Sequence, residues 1–224
     1  MVRPSLPALA GKGWCDMVDK SPQPAIFLDR DGALIEEVHY LSQVEQVQLL
    51  TNVVEGLRLL ERSGFALVVV TNQAGVARGY FPETQVEVIH RHLEDELARH
   101  GISITAWKYC PHHPTEGEGA YRLDCSCRKP APGMLLEAAR ELNLDLPRSF
   151  MIGDKRSDLE AGSRAGCRSV LVRTGHGVAE EESVLPGLPG FLGVCDHMLE
   201  AARLVLLAGQ RTLPSPSPWI RAGA

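Results

Sequence analysis

The chain has 224 residues, of which 44% are hydrophobic and 23% charged, so it is long enough for one globular domain with a sizeable core. Its formal net charge of −5 comes without a basic cluster, which argues against nucleic acid as a partner, and no apolar run approaches the roughly 18 residues of a membrane span. Because the N-terminus lacks the pattern of a secretory signal, we expect a cytoplasmic monomer whose six cysteines are thiols or metal ligands rather than disulfides.

The first predicted element is a buried strand over residues 25–28, which follows a proline-rich stretch, residues 1–24, that we predict to be a loose extension. Four apolar residues run directly into Asp29, Asp31 and Gly32, a pattern typical of a parallel strand that ends in a turn. Ligands of open α/β sheets bind beyond such strand ends. Two carboxylates this close repel each other unless a cation or a shared proton offsets the repulsion. The pattern therefore indicates a nucleophile, a proton carrier and a divalent cation, with a plain acidic turn after the strand as the alternative.

Polar residues after the first two strands are expected at the same edge of the sheet. The loop that follows Gly32 could contact a substrate, although a solvated loop is the simpler alternative, and a helix then extends from Asn52 to Gly64. The apolar run 65–70 predicts a second strand, and Thr71 at its end could donate a hydrogen bond to a phosphate oxygen without adding charge. A simple polar strand end is the alternative for this cluster, which comprises Thr71, Asn72 and Gln73. Gly75 and Gly79 predict a flexible loop after it.

A strand over residues 102–109 leads into a loop that is rich in metal ligands. The candidate ligands are Cys110, His112, His113, Cys125 and Cys127. Three thiolates and one imidazole can close a tetrahedral zinc site, for which we prefer His112 over His113 because its spacing mirrors that of the cysteine pair. Four protein ligands leave no open position, so we predict a structural zinc that holds the loop 110–127. Reactive or incidental thiols are the alternative.

Two cations follow the loop directly, and two carboxylates follow the next strand. Arg128 and Lys129, anchored beside a rigid metal site, suit a phosphate clamp, with a solvated basic pair as the alternative. Asp154 can complete a Mg²⁺ site with Asp29. Asp158, one helical turn later, either joins that site or braces the loop.

The remaining elements complete an alternation of strands and helices that indicates one α/β domain over residues 25–211. The predicted helices are 82–100, 133–142 and 198–207, and the predicted strands are 149–152 and 169–172. The proline- and serine-rich tail, residues 212–224, is predicted to be disordered.

These motifs in this order resemble the haloacid dehalogenase (HAD) phosphohydrolase superfamily: D-x-D-G after the first strand, a threonine after the second, a lysine, and G-D-x-x-x-D after the fourth. The inserted C-P-H-H and C-x-C-R-K-P segments narrow the resemblance to the D-glycero-D-manno-heptose 1,7-bisphosphate 7-phosphatase family, which supplies heptose for lipopolysaccharide or related surface glycans. The resemblance implies an α/β, HAD-like Rossmannoid three-layer sandwich with a central parallel sheet, a minimal cap and a zinc-binding loop insertion. Ala33 departs from the family pattern, which usually has a threonine there.

Chemistry and the resemblance together imply a role for each site residue. Asp29 is the expected nucleophile, and Asp31 the general acid and base. The Mg²⁺ ligands are Asp29, the backbone carbonyl of Asp31, and Asp154. The remaining catalytic residues are Thr71, Arg128 and Lys129. The substrate-binding residues are Glu37, Val38, His39, Tyr40, Asn72, Gln73, Arg128, Lys129 and Lys155.

Two other functions remain open at this point. The same site could act on histidinol phosphate or another small phosphorylated metabolite, because the histidinol-phosphate phosphatases carry a similar metal loop. From a different class, the chain could be a zinc-stabilised binding protein without activity. The presence of every acid, amide and cation position favours an enzyme.

Overall fold

The computed structural model describes residues 21–183 and 187–210, in which strands and helices alternate. The strands are β1 (Ala25–Leu28), β2 (Ala66–Asn72), β3 (Ala106–Cys110), β4 (Phe150–Gly153), β5 (Arg168–Val172) and β6 (Phe191–Cys195). The helices are α1 (Val53–Arg62), α2 (Ala74–Ala77), α3 (Glu83–Arg99), α4 (Gly133–Leu142), α5 (Arg156–Ala165), α6 (Gly177–Glu180) and α7 (Met198–Gln210). Short 3-10 helices span Val44–Gln46, Gly119–Tyr121, Leu146–Arg148 and Glu181–Ser183.

All six strands belong to one parallel sheet in the order β3-β2-β1-β4-β5-β6. In the central strand β1, Leu28 is in register with Val69 of β2 and Ile152 of β4. The chain therefore builds outward from β1 to β3 on one side and then restarts with β4 on the other. Sheets of this kind bind ligands where the strand order reverses, at the carboxyl ends of the strands. The ends of β1 and β4 are at this position.

Side chains of β1 alternate between two hydrophobic cores. Ile26 and Leu28 belong to the core beneath α1, α3 and α7, whereas Ala25 and Phe27 belong to the core beneath α4 and α5. All four are fully buried, which explains why the strand has a continuous apolar sequence rather than an alternating one. The expected three-layer sandwich with a central parallel sheet is confirmed.

The sheet contains a sixth strand, β6, that the sequence analysis did not predict. It pairs with β5 through an irregular register between Ser169 and Val170, and Gly193 in its centre has a φ of 145°. Four of its five residues are only half-buried. A short edge strand interrupted by glycine lacks the continuous apolar run that indicated the other strands.

Three local predictions differ from the structure. Asn52 precedes α1 as expected, but its left-handed backbone, with a φ of 66°, leaves the helix without a side-chain cap bond. The segment around Gly75, expected to be a flexible loop, forms one turn of helix, α2. The loose extension was predicted to reach residue 24, yet the backbone of Gln23 already pairs with that of Asn143 at 3.1 Å.

The rest of the extension, residues 1–20, and the tail from residue 212 lie outside the described residues. Over the part of the chain that the structure describes, no helix is both long enough and apolar enough to cross a membrane.

Candidate active site

A cavity of about 490 Å³ opens at the carboxyl ends of the central strands. Its wall contains most of the residues that the sequence analysis selected, brought together from four separate segments. The predicted residues that line it are Asp29, Asp31, Glu37, His39, Tyr40, Asn72, Gln73, Arg128, Lys129 and Lys155. Arg78, Ser157 and His176 also line it and were not predicted. Thr71 and Asp154 are fully buried next to it.

Three carboxylates converge in the floor of the cavity. One oxygen from each of Asp29, Asp154 and Asp158 lies within 4.8 Å of the others, and all three side chains are buried. Oδ2 of Asp154 accepts a hydrogen bond from the backbone N–H of His176 at 2.8 Å, whereas Oδ1 is buried without a hydrogen-bond partner. Burial, reinforced by the neighbouring charge of Asp29, raises the pKa of Asp154 to about 8. Oδ1 of Asp154 is thus a buried acceptor without a hydrogen bond, close to other negative charges. A divalent cation bound there would supply the missing partner and offset the repulsion.

Two glycines hold the Asp154 carboxylate close to the end of β1. A Cβ atom at Gly32 would lie 2.2 Å from Oδ2 of Asp154, and one at Gly175 would lie 2.3 Å from the same atom. Both glycines have positive φ values, of 83° and 58°. Any side chain at either position would displace the carboxylate, which explains glycine at the turn after Asp31.

Both carboxylate oxygens of Asp158 have partners within the protein, so this residue stabilises the floor of the cavity. Its Oδ1 lies 2.7 Å from the ammonium group of Lys129, and its Oδ2 accepts a hydrogen bond from the backbone N–H of Lys155 at 3.0 Å. Of the two roles considered for Asp158, these contacts favour bracing. Burial raises the pKa of Asp158 to about 6, although the attraction of Lys129 opposes this shift.

Lys129 is the cation at the centre of the site. Its Nζ donates to Oδ1 of Asp29 and to the backbone carbonyl of Val70, both at 2.7 Å, in addition to its contact with Asp158. Burial acts against the charged form, but the two carboxylates outweigh it and the pKa of Lys129 is raised. The amide of Asn72 fixes the backbone here, because it accepts from the Lys129 N–H and donates to the Lys129 carbonyl, each at 3.0 Å.

Asp31 stands apart from the three clustered carboxylates. Its side chain pairs with the guanidinium of Arg30 and accepts a hydrogen bond from Nε2 of Gln73 at 2.8 Å. The same Gln73 amide contacts Oγ1 of Thr71 at 2.9 Å. Gln73 and Asn72, both predicted to bind substrate, therefore make their observed hydrogen bonds to other site residues. Arg30 was missed, because a lone cation between two acidic residues has the sequence signature of a solvated turn.

The mouth of the cavity carries a second charged group. Nζ of Lys155 lies 3.2 Å from Oε2 of Glu37, and Nε2 of His176 lies 3.4 Å from the same oxygen. Burial opposes ionisation of Glu37, but Lys155 outweighs it and the pKa of Glu37 is lowered. His39 and Tyr40 both have left-handed backbones, which turns their loop across the mouth. Val38 packs against the hydrophobic core and does not line the cavity.

The predicted zinc ligands form a compact cluster beside the cavity. Sγ of Cys127 lies 3.2 Å from the sulfurs of Cys110 and Cys125, and 3.4 Å from Nδ1 of His112. A tetrahedral zinc with bonds of about 2.3 Å separates its sulfur ligands by a little under 4 Å, slightly more than the separations here, so small side-chain shifts would let these four atoms hold the ion. Hydrogen bonding with Cys110 lowers the pKa of Cys127 to about 5. His113 accepts instead from the backbone N–H of Glu116 at 3.0 Å, which favours His112 as the fourth ligand.

The loop 110–127, called the zinc loop after its predicted ligands, contacts residues on both sides of the cavity. The guanidinium of Arg128 donates to the backbone carbonyl of His112 at 3.1 Å, which orients the arginine from the metal cluster. On the far side, Arg78 pairs with Glu116 of the loop at 2.6 Å. Ala33, which replaces the usual threonine, is buried in the hydrophobic core and not in the cavity wall, so its missing hydroxyl lies away from the candidate site.

Comparison with known proteins agrees with this arrangement. The family model for HAD-hydrolase-like proteins matches residues 126–201. The D-glycero-beta-D-manno-heptose-1,7-bisphosphate 7-phosphatase of Pasteurella multocida is 48% identical over 158 residues, which cover 70% of this chain and 85% of the relative. The enzyme of the same name from Haemophilus influenzae is 42% identical over 178 residues, which cover 79% of this chain and 91% of the relative.

A solved structure gives the same result. The D,D-heptose 1,7-bisphosphate phosphatase of B. bronchiseptica, crystallised with magnesium and phosphate, superposes with a TM-score of 0.72 at 33% sequence identity, covering 83% of this chain and 99% of that one. The chain therefore belongs to the HAD superfamily and, within it, to the D-glycero-β-D-manno-heptose-1,7-bisphosphate 7-phosphatase family.

Proposed function

We propose that this enzyme hydrolyses the C7 phosphate ester of D-glycero-β-D-manno-heptose 1,7-bisphosphate and releases inorganic phosphate. The observation that carries the proposal is the cluster of Asp29, Asp154 and Asp158 beside Lys129 at the reversal point of the sheet, with Asp31 in the wall of the same cavity. The β anomer is chosen because the curated relatives carry it in their names. The product would supply heptose for lipopolysaccharide or other surface glycans.

In the first half of the reaction, a carboxylate oxygen of Asp29 attacks the C7 phosphorus. The bond between phosphorus and the sugar oxygen breaks, and protonated Asp31 gives its proton to that oxygen, so the sugar leaves as an alcohol. Lys129 holds Asp29 in place through its 2.7 Å contact and offsets charge beside the phosphoryl group. Thr71, whose hydroxyl oxygen accepts from Gln73, keeps its own proton for a phosphoryl oxygen.

In the second half, a water molecule attacks the phosphorus of the aspartyl-phosphate. Asp31, now a carboxylate, takes a proton from that water as the bond between phosphorus and Asp29 breaks. Inorganic phosphate leaves and both aspartates return to their starting states. Mg²⁺ bound by Asp29, the backbone carbonyl of Asp31, and Asp154 would offset the negative charge of the phosphoryl group throughout.

The second phosphate of the substrate requires cations that the transferring phosphate does not use. Arg128 lines the cavity and is oriented by the carbonyl of His112, so its planar guanidinium is available for a phosphate on one side. Lys155 also lines the cavity, and its side chain is one-third exposed. We assign Arg128 to the C1 phosphate and Lys155, with Glu37, to the sugar between the two phosphates.

A structural zinc at Cys110, His112, Cys125 and Cys127 would fix the position of Arg128 relative to the cavity. Four protein ligands leave no coordination position for a substrate, so these residues would hold the loop rather than carry chemistry. The loop would then act as a small cap of fixed geometry, and the cavity stays accessible to a small metabolite.

A panel of phosphate esters tests the assignment. We expect kcat/KM to be highest for the β anomer of heptose 1,7-bisphosphate, lower for the α anomer and lowest for histidinol phosphate, since only the bisphosphates present a second phosphate to Arg128. Arg128→Met should reduce this preference and leave kcat for histidinol phosphate nearly unchanged. Equal kcat/KM for histidinol phosphate and the β anomer would contradict the proposed substrate.

A further inference from the structure

We propose that Arg30 is a positioning residue for the reaction, holding the Asp31 carboxylate in the orientation from which it exchanges a proton with the substrate oxygen. This role rests on the proposed phosphatase function. Two nitrogens of the guanidinium contact the Asp31 carboxylate. Nε donates to Oδ1 at 3.2 Å, and Nη2 lies 3.0 Å from Oδ1 and 2.9 Å from Oδ2. Such a fork restricts both the position and the rotation of a carboxylate, which a single hydrogen bond does not.

The burial of Arg30 sets it apart from an ordinary surface partner. Its side chain is 1% exposed, whereas that of Asp31 is 17% exposed and faces the cavity. The arginine therefore supports the carboxylate from the protein interior and leaves its outer side open to a ligand. Among the described residues, Asp31 is the only acidic residue with which Arg30 forms an ion pair.

The buried side of the guanidinium makes no competing hydrogen bond within the described residues. Its remaining nitrogen, Nη1, is buried without a hydrogen-bond partner. Burial lowers the pKa of His90, and the charge of Arg30 adds a smaller effect in the same direction. His90 in turn stacks on Trp107, with 4.8 Å between ring centroids. In the described part of the chain, no second ion pair competes with Asp31 for the Arg30 guanidinium.

Stability alone does not account for this pair. Replacing a buried ion pair with apolar residues of similar size often leaves protein stability unchanged or increases it. Stability is therefore an insufficient reason for a buried arginine at this position. Gln73 adds an independent constraint, because it donates to Oδ2 of Asp31 from the end of β2. Arg30 and Gln73 thus hold the Asp31 carboxylate from two elements, in the ionised state from which it takes a proton from the attacking water in the second half of the reaction.

The test is a double-mutant cycle between Arg30→Met and Asp31→Asn, measured with heptose 1,7-bisphosphate and p-nitrophenyl phosphate. In the wild-type background, we expect Arg30→Met to lower kcat by about 10²-fold, as small misplacements of catalytic groups do. KM should stay within about threefold, because Arg30 does not face the substrate. In the Asp31→Asn background the same substitution should change kcat by less than about twofold, since there is no longer a proton carrier to position.

Two further variants complete the design. Arg168→Met removes a partly buried arginine at the start of β5, the opposite end of the sheet, and should leave kcat unchanged. Arg30→Lys keeps the positive charge without the two-nitrogen contact, so its kcat should lie between those of the wild type and Arg30→Met. If Arg30→Met does not fold, the cycle is run with Arg30→Lys, whose effect on kcat should again disappear in the Asp31→Asn background.

The outcomes separate the two proposals. An active wild type with unchanged kcat in the Arg30 variant, or an equal loss in the wild-type and Asp31→Asn backgrounds, overturns the role of Arg30 alone. A wild type that releases no phosphate from either ester overturns the proposed function and this role with it.

Discussion

The ammonium group of Lys129 lies 2.7 Å from Oδ1 of Asp158, and the side chains of both residues are 1% exposed. This contact joins the segment that follows the zinc loop to the first turn of α5, and Asp29 completes the group from the end of β1. The position of the central cation is therefore set by a residue that need not contact the substrate.

Asp158→Asn should destabilise the protein and impair catalysis together. Lys129 keeps Asp29 as a partner, so we expect the free energy of unfolding to fall by about 2 kcal/mol, below the loss seen when a buried charge loses its only partner. Urea unfolding and steady-state kinetics measure the two effects. Glu160→Gln, on the same helix and away from the cavity, is the matched control and should change neither by much. Unchanged stability in Asp158→Asn would contradict the bracing role.

Asp154→Asn should weaken Mg²⁺ binding without lowering the stability of the metal-free protein. Asp154 is buried beside Asp29, and its Oδ1 has no hydrogen bond and only a 3.9 Å contact with Nζ of Lys155. Removing its charge should therefore leave the metal-free protein as stable as the wild type or more so. Mg²⁺ at about 100 times its Kd should stabilise the wild type by about 2.7 kcal/mol and the variant hardly at all. Thermal melting in chelator and in Mg²⁺ measures this. Asp145→Asn, distant from the cavity, should keep the full Mg²⁺ shift, and an equal shift in Asp154→Asn would refute the site.

The cysteine cluster should hold about one zinc per chain. Cys125→Ser removes one of the four ligands, so the variant should lose the metal. Its melting temperature should fall, because the metal no longer holds the loop in place. Elemental analysis and thermal melting measure the two effects. Cys167→Ala, a buried thiol in the core outside the cluster, should keep the zinc. Wild-type protein purified without zinc and with undiminished stability would argue against a structural metal.

His90 should make the protein sensitive to acid. Burial, together with the charge of Arg30, lowers the pKa of His90 from 6.5 to about 3, so the folded state requires a neutral ring. Its contribution to stability is complete above the unfolded-state pKa of 6.5 and is lost as the pH falls towards 3. Between about pH 7 and pH 5, the wild type should lose about 2 kcal/mol more than His90→Phe, which keeps an aromatic ring against Trp107.

Urea unfolding at the two pH values gives this difference. His92→Phe, on the same helix but only partly buried, should retain the pH dependence of the wild type. Identical pH dependence in the wild type and His90→Phe would show that His90 does not titrate as proposed.

The parts of the site that follow strand ends were predictable from the sequence. Asp29, Thr71 and Asp154 each come after a continuous apolar run, and the geometry of a parallel sheet places such residues at one edge. The cysteine and histidine cluster was predictable for a different reason: the side-chain chemistry of four such residues in one loop restricts what they can form together.

The parts that were missed depend on packing rather than on local pattern. Arg30 has the sequence surroundings of a solvated residue, and only the fold buries it beneath Asp31. His176 reaches the cavity because its backbone bonds to Asp154, a contact between two strand ends that no spacing reveals. The strand β6 was missed because Gly193 interrupts an already short edge strand.

The most direct test of the central claim is phosphate release from β-heptose 1,7-bisphosphate by the wild type and by Asp29→Asn, each with and without Mg²⁺. The account predicts rapid, Mg²⁺-dependent release by the wild type and a loss of more than about 10³-fold in the variant, with the protein still folded. Release that is independent of Mg²⁺, or that persists undiminished in Asp29→Asn, would contradict it.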